Sequence, residues 1–254
     1  MSLQKNSKKF GKANNLLFKK NNKMIKKLEW DSIFFGFNVF LLQTEKLDEI
    51  NDIISNFNKS KSLIYLFTRH IILNNQQLKE FNGKLVDQKV IFKKNLLKEN
   101  IIINKNIEIY KKLEPNNELY NLAKISGEYS RFKLDKRLPN FTFNKMYNLW
   151  IEKACIDENI IVFIYKHNNM IKGFLSLNIK DNDTVIELIA VDNDTQGKGI
   201  GKDLIMEAEN YSIKKNINKI SVATQKDNNI ALSFYKKMNY NIDSITNIYH
   251  FINN

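Results

Sequence analysis

Apolar side chains recur along this chain with two different periods. Alternation at every second position marks a half-buried strand, and recurrence at every third or fourth position marks one face of a helix. Leu47 to Phe57 has the helical spacing, whereas Ser62 to Thr68 and Lys84 to Lys94 alternate or run apolar as strands do. Ile107 to Leu113 reads as another strand. Glu114-Pro115-Asn116-Asn117 then supplies turn residues ahead of a helical stretch.

The pattern sharpens after that turn. Phe143 to Ala154 predicts a helix with Met146, Tyr147, Trp150 and Ala154 on one face. Ile160 to Tyr165 and Ile171 to Leu177 predict a hairpin turned at His167-Asn168-Asn169, and Val185 to Val191, rich in β-branched residues, predicts a further strand. A glycine-rich loop then opens a helix lined on one side by Leu204, Ile205, Ala208, Tyr211 and Ser212. Lys219 to Thr224 is a strand, Asn229 to Met238 a helix and Ser244 to Phe251 a last strand. No internal repeat or Gly/Ser/Pro-rich linker interrupts this series. The expectation is an α/β (α+β) protein in three parts: a basic, flexible extension over residues 1–27, a small α/β domain over 28–114, and a larger domain over 115–254 with a mixed central sheet flanked by helices.

Composition changes this picture in four respects. An apolar content of 43% over 254 residues supports a packed core. The net charge of +13 raises a nucleic-acid reading, yet nine lysines fall within residues 1–28, a stretch with no acid. A Lys/Asn-rich tail of that kind is expected to be a solvated extension and not a groove binder or a reader of specific nucleic acid, with loose attachment to RNA or anionic lipid left open. A non-enzymatic nucleic-acid-binding module using this tail is the alternative from a different functional class. No run reaches the roughly 18 to 20 uninterrupted apolar residues of a membrane helix, and lysines and asparagines stand where a secretory signal has its apolar stretch, so a cytoplasmic protein is expected. Cys155, the single cysteine, excludes an intramolecular disulfide and a Cys-based zinc cluster, and no metal is expected. A homodimer is compatible with the sequence.

The chemistry concentrates in Thr195-Gln-Gly-Lys-Gly-Ile-Gly-Lys202. Three of the eight glycines, Gly197, Gly199 and Gly201, lie here interleaved with Lys198 and Lys202, at the start of a helix. Glycines let main chain approach a ligand closely, and amides at a helix N-terminus together with lysines select an anion. A Walker loop needs four residues between its first Gly and Gly-Lys-Ser/Thr; here there are three, and Asp203 replaces the hydroxyl. A dinucleotide fingerprint needs Gly-x-Gly-x-x-Gly at the start of a βαβ unit, and neither condition is met. Gln196-x-x-Gly199-x-Gly201, with successive amides wrapping a pyrophosphate, fits.

That motif resembles the acetyl-CoA loop of GNAT-superfamily N-acetyltransferases, and residues from about 115 to 254 are similar to that superfamily. Asn228-x-x-Ala231-x-x-Phe234-Tyr235-Lys236-Lys237-x-x-Tyr240 resembles its second element, with Asn239 where Gly is common. Further upstream, Trp30-Asp31-x-x-Phe34-Phe35-Gly36, Ser130-Arg131-Phe132, Trp150-Ile151-Glu152-x-Ala154 and Val222-Ala223-Thr224-Gln225 resemble the dTDP-fucosamine acetyltransferase family. That family acetylates the amine of a nucleotide-linked amino sugar, so the likeness implies a role in cell-surface polysaccharide biosynthesis.

The resemblance implies direct attack of a neutral amine on the thioester, with no enzyme nucleophile. It implies that the main chain of Ile189 and Val191 lines a splayed strand beside the pantetheine arm, and that the amides from Gln196 through Gly197, Lys198, Gly199, Gly201 and Lys202 hold the pyrophosphate. Asn228 is expected to bond the cofactor's amide portion, and Tyr235 to protonate the departing thiolate. The base is either Glu187 or a chain of water molecules. Trp30, Phe35, Arg131 and Phe132 are expected to bind the nucleotide sugar through apolar surface and a cation for the pyrophosphate, with Lys133 and Arg137 as further cations. Another GNAT activity, on a protein or peptide amine or a small polyamine, is the closer alternative.

Overall fold

The computed structural model describes residues 25–57, 61–97 and 104–253. The described residues divide into two compact units, one up to Asp87 together with residues 246–253 and the other from Gln88 to Ile245. In the first unit, β1 (Ile25–Lys27), β2 (Asn38–Gln43), β3 (Ser62–Thr68) and the end of β10 (Asn241–Asn253) form a sheet in that order. The β2/β3 pair is parallel and the pairs with β1 and β10 are antiparallel. Helix α2 (Leu47–Phe57) places Ile50, Ile53 and Ile54 in one core with Leu42, Ile64, Leu66, Tyr249 and Phe251, as its helical spacing requires. Helix α1 (Glu29–Phe35) and helix α3 (Asn75–Glu80) complete this unit, with α3 started by a capping box between Asn74 and Gln77.

In the second unit the strand order is β4 (Gly83–Asn95), β9 (Lys219–Gln225), β8 (Thr184–Val191), β7 (Met170–Ile179), β6 (Ile160–His167), β5 (Ile107–Ile109). Only β8 and β9 pair in parallel among these; the other pairs are antiparallel. Helices cover both faces of this mixed sheet. On one face α7 (Ile200–Lys214) and α8 (Asn229–Lys237) contribute Leu204, Ile205, Ala208 and Tyr235 to a core with Phe92, Leu175, Leu177, Ile186 and Val222. On the other, α4 (Asn117–Ser126) and α6 (Thr142–Ile156) pack Leu122, Tyr147 and Ile151 against Val162, Phe174, Leu188 and Ala190. Asn116 caps α4 through the Leu119 amide, so the turn after Pro115 is also the helix start. Asn168 and Asn169 take φ of 50° and 61° at the predicted hairpin turn, a conformation asparagine tolerates.

Two boundaries differ from the sequence expectation. Ile25 to Lys27, expected in the extension, pair with Leu42 to Phe40 as an antiparallel edge; residues 1–24 lie outside the described residues. The expected division at residue 114 falls instead between Asp87 and Gln88, because β4 is paired with β9 from Lys89↔Gln225 to Asn95↔Lys219. The last strand likewise starts in the second unit and ends in the first, where Tyr249 accepts a hydrogen bond from the Leu73 amide at 3.2 Å.

Candidate functional site

The strands β8 and β9 are joined at one end only. They pair from Thr184↔Ile220 to Ile186↔Val222, and both strands continue beyond that point without pairing with each other. The joined end is fastened by polar contacts: the Thr184 and Ser212 hydroxyls lie 2.8 Å apart, Thr184 approaches the Lys219 carbonyl at 3.3 Å, and Ser212 donates to the Ala208 carbonyl at 2.8 Å. Thr184 and Ser212 are fully buried, so these bonds are made without competition from water. The open end leaves main chain of β8 around Ile189 unpaired on its β9 side, as a strand needs in order to bond a ligand.

A β-bulge sits where the strands part. On β7, Ser176 faces Leu188 but its neighbour Leu177 faces Ile186, which leaves Glu187 as an extra residue of β8. The extra residue reverses the alternation. Ile186, Ile189 and Val191 lie with the α7/α8 core, and Leu188 and Ala190 with the α4/α6 core. Without the bulge, Ile186 and Leu188 would occupy the same face.

From Val191 the chain enters the glycine loop, and the side chains around it act as braces. Lys172 holds Asp192 at 2.9 Å, and Asp192 accepts from the Asp194 amide at 3.1 Å to start the 3₁₀ turn Asn193–Thr195. The Lys172 bond, followed by the Asp194 amide, keeps the Asp192 carboxyl below its usual range. Gln196 folds back through its amide onto the Val191 carbonyl at 3.1 Å and the Asn193 side chain at 3.0 Å. Gly197 and Gly199 then take φ of 78° and 83°, and a Cβ at either would meet nothing within 4 Å. The left-handed main chain and the open space on its surface form a cradle that only glycine leaves clear. Gly199 is also the N-cap of α7, with no side chain capping it, and the first intrahelical bond runs from the Asp203 amide to the Gly199 carbonyl. The amides of Gly199, Ile200, Gly201 and Lys202 therefore have no acceptor within the helix and suit an anion such as a pyrophosphate. Lys198 and Lys202 are exposed beside them. Asp203, the one acid of this turn, is held by Asn104 at 2.7 Å.

Gly173 sets the depth of α7. A Cβ there would stand 3.0 Å from Ile200 and 3.2 Å from Leu204, so the glycine lets the helix N-terminus lie close on β7. A lone glycine inside a strand pattern carries this signal, and Gly173 was not among the predicted site residues. Gly201 faces the Phe234 ring, 3.6 Å from where its Cβ would be, with Val191 at 3.8 Å.

The remaining predicted residues divide into three groups. Tyr235 is 3% exposed, with its ring among those of Phe92, Phe234 and Tyr240, and burial pushes its hydroxyl pKa up, so it stays protonated. Asn228, expected to bond the cofactor, spends its side-chain oxygen on the Ala231 amide at 3.0 Å as the N-cap of α8. Glu187 is exposed and accepts from Asn178 at 2.7 Å. Asn239 closes α8 at φ 62°, the conformation in which it substitutes for glycine.

On the sugar side, Arg131 opens the short helix α5 (Arg131–Leu134) and lies over the Phe132 ring at 4.4 Å, while Phe132 meets Trp150 edge-on. The two further cations are engaged locally: Lys133 pairs with Glu128, and Arg137 forks onto the buried Asp135 at 2.8 and 2.9 Å. Trp30 and Phe35 belong to the first unit, on α1, where Trp30 stacks on Phe34 at 5.4 Å and Phe35 is 7% exposed. Cys155 is half-buried on α6, and burial followed by the Glu152 charge pushes its thiol up to about 11, far from a thiolate nucleophile. Among the described residues no helix is long and apolar enough to cross a membrane.

Comparison with known proteins agrees with this geometry. The chain is 33% identical over 78 residues to the uncharacterized protein YxbD of Bacillus subtilis (strain 168), covering 31% of this chain and 48% of that one. It is 23% identical over 129 residues to the spore coat polysaccharide biosynthesis protein SpsD of the same organism, covering 51% and 45% respectively. The match thus spans about half the length of each curated relative. The crystal structure of a GCN5-related N-acetyltransferase from Sphaerobacter thermophilus shares the fold over 90% of this chain and 76% of that one, with a TM-score of 0.55 at 10% identity. Residues 118–240 match the acetyltransferase (GNAT) family. The half-open strand pair and the uncapped glycine loop both lie inside that span, so the part of the chain that is similar to GNAT-family acetyltransferases is the part that holds the candidate site.

Proposed function

We propose that the protein is an N-acetyltransferase that moves an acetyl group from acetyl-CoA to the amine of a nucleotide-linked deoxyamino sugar by direct attack. The observation that carries the first half is the succession of half-open strand, bulge and bare helix N-terminus, which leaves main-chain donors at two places, on β8 around Ile189 and at the start of α7 from Gly199 to Lys202. Acetyl-CoA, when bound, supplies an acyl carbon already activated as a thioester. The chain's own groups do the rest. Amides from Gly197 to Lys202 hold the pyrophosphate, and the free main chain of β8 around Ile189 aligns the pantetheine arm and offers an N–H to the charge that develops on the acyl oxygen. Tyr235, kept neutral by burial, is the proton donor for the leaving sulfur. Glu187, held by Asn178, takes the proton from the amine.

The second half rests on the string around Arg131, on the likeness of residues 28 onward to the dTDP-fucosamine acetyltransferase family, and on the name of one relative, a polysaccharide biosynthesis protein. A sugar amine differs little from other small amines. Selectivity therefore has to come from the remote nucleotide diphosphate, for which a guanidinium beside an aromatic ring, as at Arg131 and Phe132, is the fitting partner.

Thiol release from acetyl-CoA, measured against nucleotide amino sugars, free amino sugars, polyamines and peptides, tests both halves. The expected result is turnover with one or more nucleotide amino sugars and at most slow turnover with the others. Efficient acetylation of polyamines or peptides with none of nucleotide sugars would overturn the acceptor, and failure to bind acetyl-CoA at all would overturn the reaction.

A further inference from the structure

The bulge that parts β8 from β9 is held from one strand. Ser176 and Asn178 of β7 alternate with Leu175 and Leu177, so both lie on the α4/α6 side of the sheet. The Leu188 amide donates to Ser176 Oγ at 3.0 Å in a fully buried setting, and Asn178 Nδ2 donates to Glu187 Oε1 at 2.7 Å. Two successive residues of the bulge are thus each bonded to a β7 side chain, two residues apart. Ser176 is 0% exposed in a strand whose other interior positions on that face, such as Phe174, are apolar. A hydroxyl is costly there unless it has a task, and its task is the amide next to the extra residue.

We propose that Ser176 is a positioning residue: by taking the Leu188 amide it fixes the bulge, and the bulge turns Ile189 and Val191 to the α7/α8 face, where their main chain meets the pantetheine arm. The inference rests on the acetyl-CoA reading above for its consequence, but not for its local content. If the hydroxyl is absent, the bulge can relax toward regular pairing, and a slip of one residue exchanges the faces of every side chain beyond it. The pyrophosphate loop is braced separately by Lys172, Asp192 and Gln196 and keeps its form.

The test compares Ser176→Ala with Phe174→Leu, a substitution on the same face of the same strand that loosens packing and leaves the hydroxyl in place. Ser176→Ala removes one oxygen and adds no bulk. Amide hydrogen exchange at Leu188, read by NMR without any ligand, should accelerate about tenfold or more in Ser176→Ala and stay near wild type in Phe174→Leu relative to neighbouring amides. Calorimetry should show coenzyme A binding weakened about tenfold by Ser176→Ala, with ADP, which carries the pyrophosphate but no pantetheine, bound as in wild type. Unchanged Leu188 exchange would overturn the assignment, as would equal losses for coenzyme A and ADP, the same selective loss in Phe174→Leu, or a Ser176→Ala chain that does not fold, since the hydroxyl is assigned a local role. Wild-type protein that binds neither ligand would instead refute the acetyl-CoA reading, and the exchange measurement would still decide the role of Ser176 in the bulge.

Discussion

Residues 184–202 and residues 127–145 are both rich in cations or polar groups, yet they are built in opposite ways. In the first stretch main chain is left open on β8 around Ile189 and at the start of α7, and the side chains serve it as braces: Gln196 on Val191, Asp192 on Lys172, Thr184 against Ser212. In the second the charges stand on side chains that are largely spent on one another: Lys133 on Glu128, Arg137 on Asp135, Lys145 over the Phe141 ring. The difference teaches that a charge in the sequence is not yet a charge available to a ligand. Main-chain donors need only the absence of a Cβ and of a cap, whereas a guanidinium must also be spared by its neighbours.

The largest effect should come from Gly199→Val. At φ 83° a β-branched residue is strained, and the loop must leave its left-handed form, so acetyl-CoA affinity should fall roughly 100-fold or more. Gly201→Ala sharpens the contrast: its Cβ would stand at an ordinary distance from Phe234, and thermal stability should change little. Affinity by calorimetry for both variants decides whether left-handed main chain, rather than glycine content, makes the cradle. An unchanged affinity for Gly199→Val would remove this loop from the site.

Tyr235→Phe should lower kcat by about 10² with acetyl-CoA affinity little altered, since it removes the proposed proton donor and keeps the ring among Phe92, Phe234 and Tyr240. Wild-type turnover in this variant would make Tyr235 a core aromatic and nothing more.

Arg131→Ala should reduce kcat/KM for the nucleotide sugar by about 2 kcal/mol, the scale of a lost charge-assisted hydrogen bond, and leave a free amino sugar almost unaffected. Arg137→Ala should behave in reverse. It takes the guanidinium from the buried Asp135 and should lower thermal stability while leaving selectivity between the two acceptors as it was. Steady-state kinetics on both acceptors separates the two arginines, and equal losses on both acceptors for Arg131→Ala would make that residue structural.

The smallest effect is expected at the brace of the loop. Asp192 has its folded-state pKa depressed by Lys172, so its stabilising contribution is present above the ordinary carboxyl value near 3.9 and is lost as pH falls through the lower folded value. The melting temperature of wild type should exceed that of Asp192→Asn at neutral pH by an amount worth less than about 1 kcal/mol, because the pair is partly exposed. That gap should close below about pH 4. A gap that persists at low pH would mean that Asp192 acts through shape and not through charge.

Much of the fold was legible because periodicity survives in a single chain: α2, α6, the β6/β7 hairpin, β8, α7, β9 and α8 all fall where the apolar spacing puts them. The shorter elements escaped. Helix α1 has only seven residues, too few for a helical period to show, and its aromatics read as a binding string before they read as a helix. Strand β5 keeps three of the seven expected residues, as an edge paired on one side with β6. In the candidate site, Gln196, Gly197 and Gly199 were legible from spacing, and Gly173 carried a signal that went unread. The engagement of Asn228 as a helix cap and the local pairing of Lys133 and Arg137 were not legible, because each depends on which neighbour lies within hydrogen-bond reach.

By itself the sequence determined the order of elements, the left-handed glycines and the bare helix start that follows them, since these depend on local sterics and on the periodic burial of one face. Only the tertiary structure decided that β8 and β9 pair for three residues and then part, that Glu187 is the extra residue of a bulge, and that the expected boundary at residue 114 gives way to one at residue 87. Pairing between strands is a property of two distant segments at once. Each carries the same alternation whether it is paired or free, and the register is chosen by the cores on both faces and by buried hydroxyls such as those of Thr184 and Ser176, to which periodicity is blind.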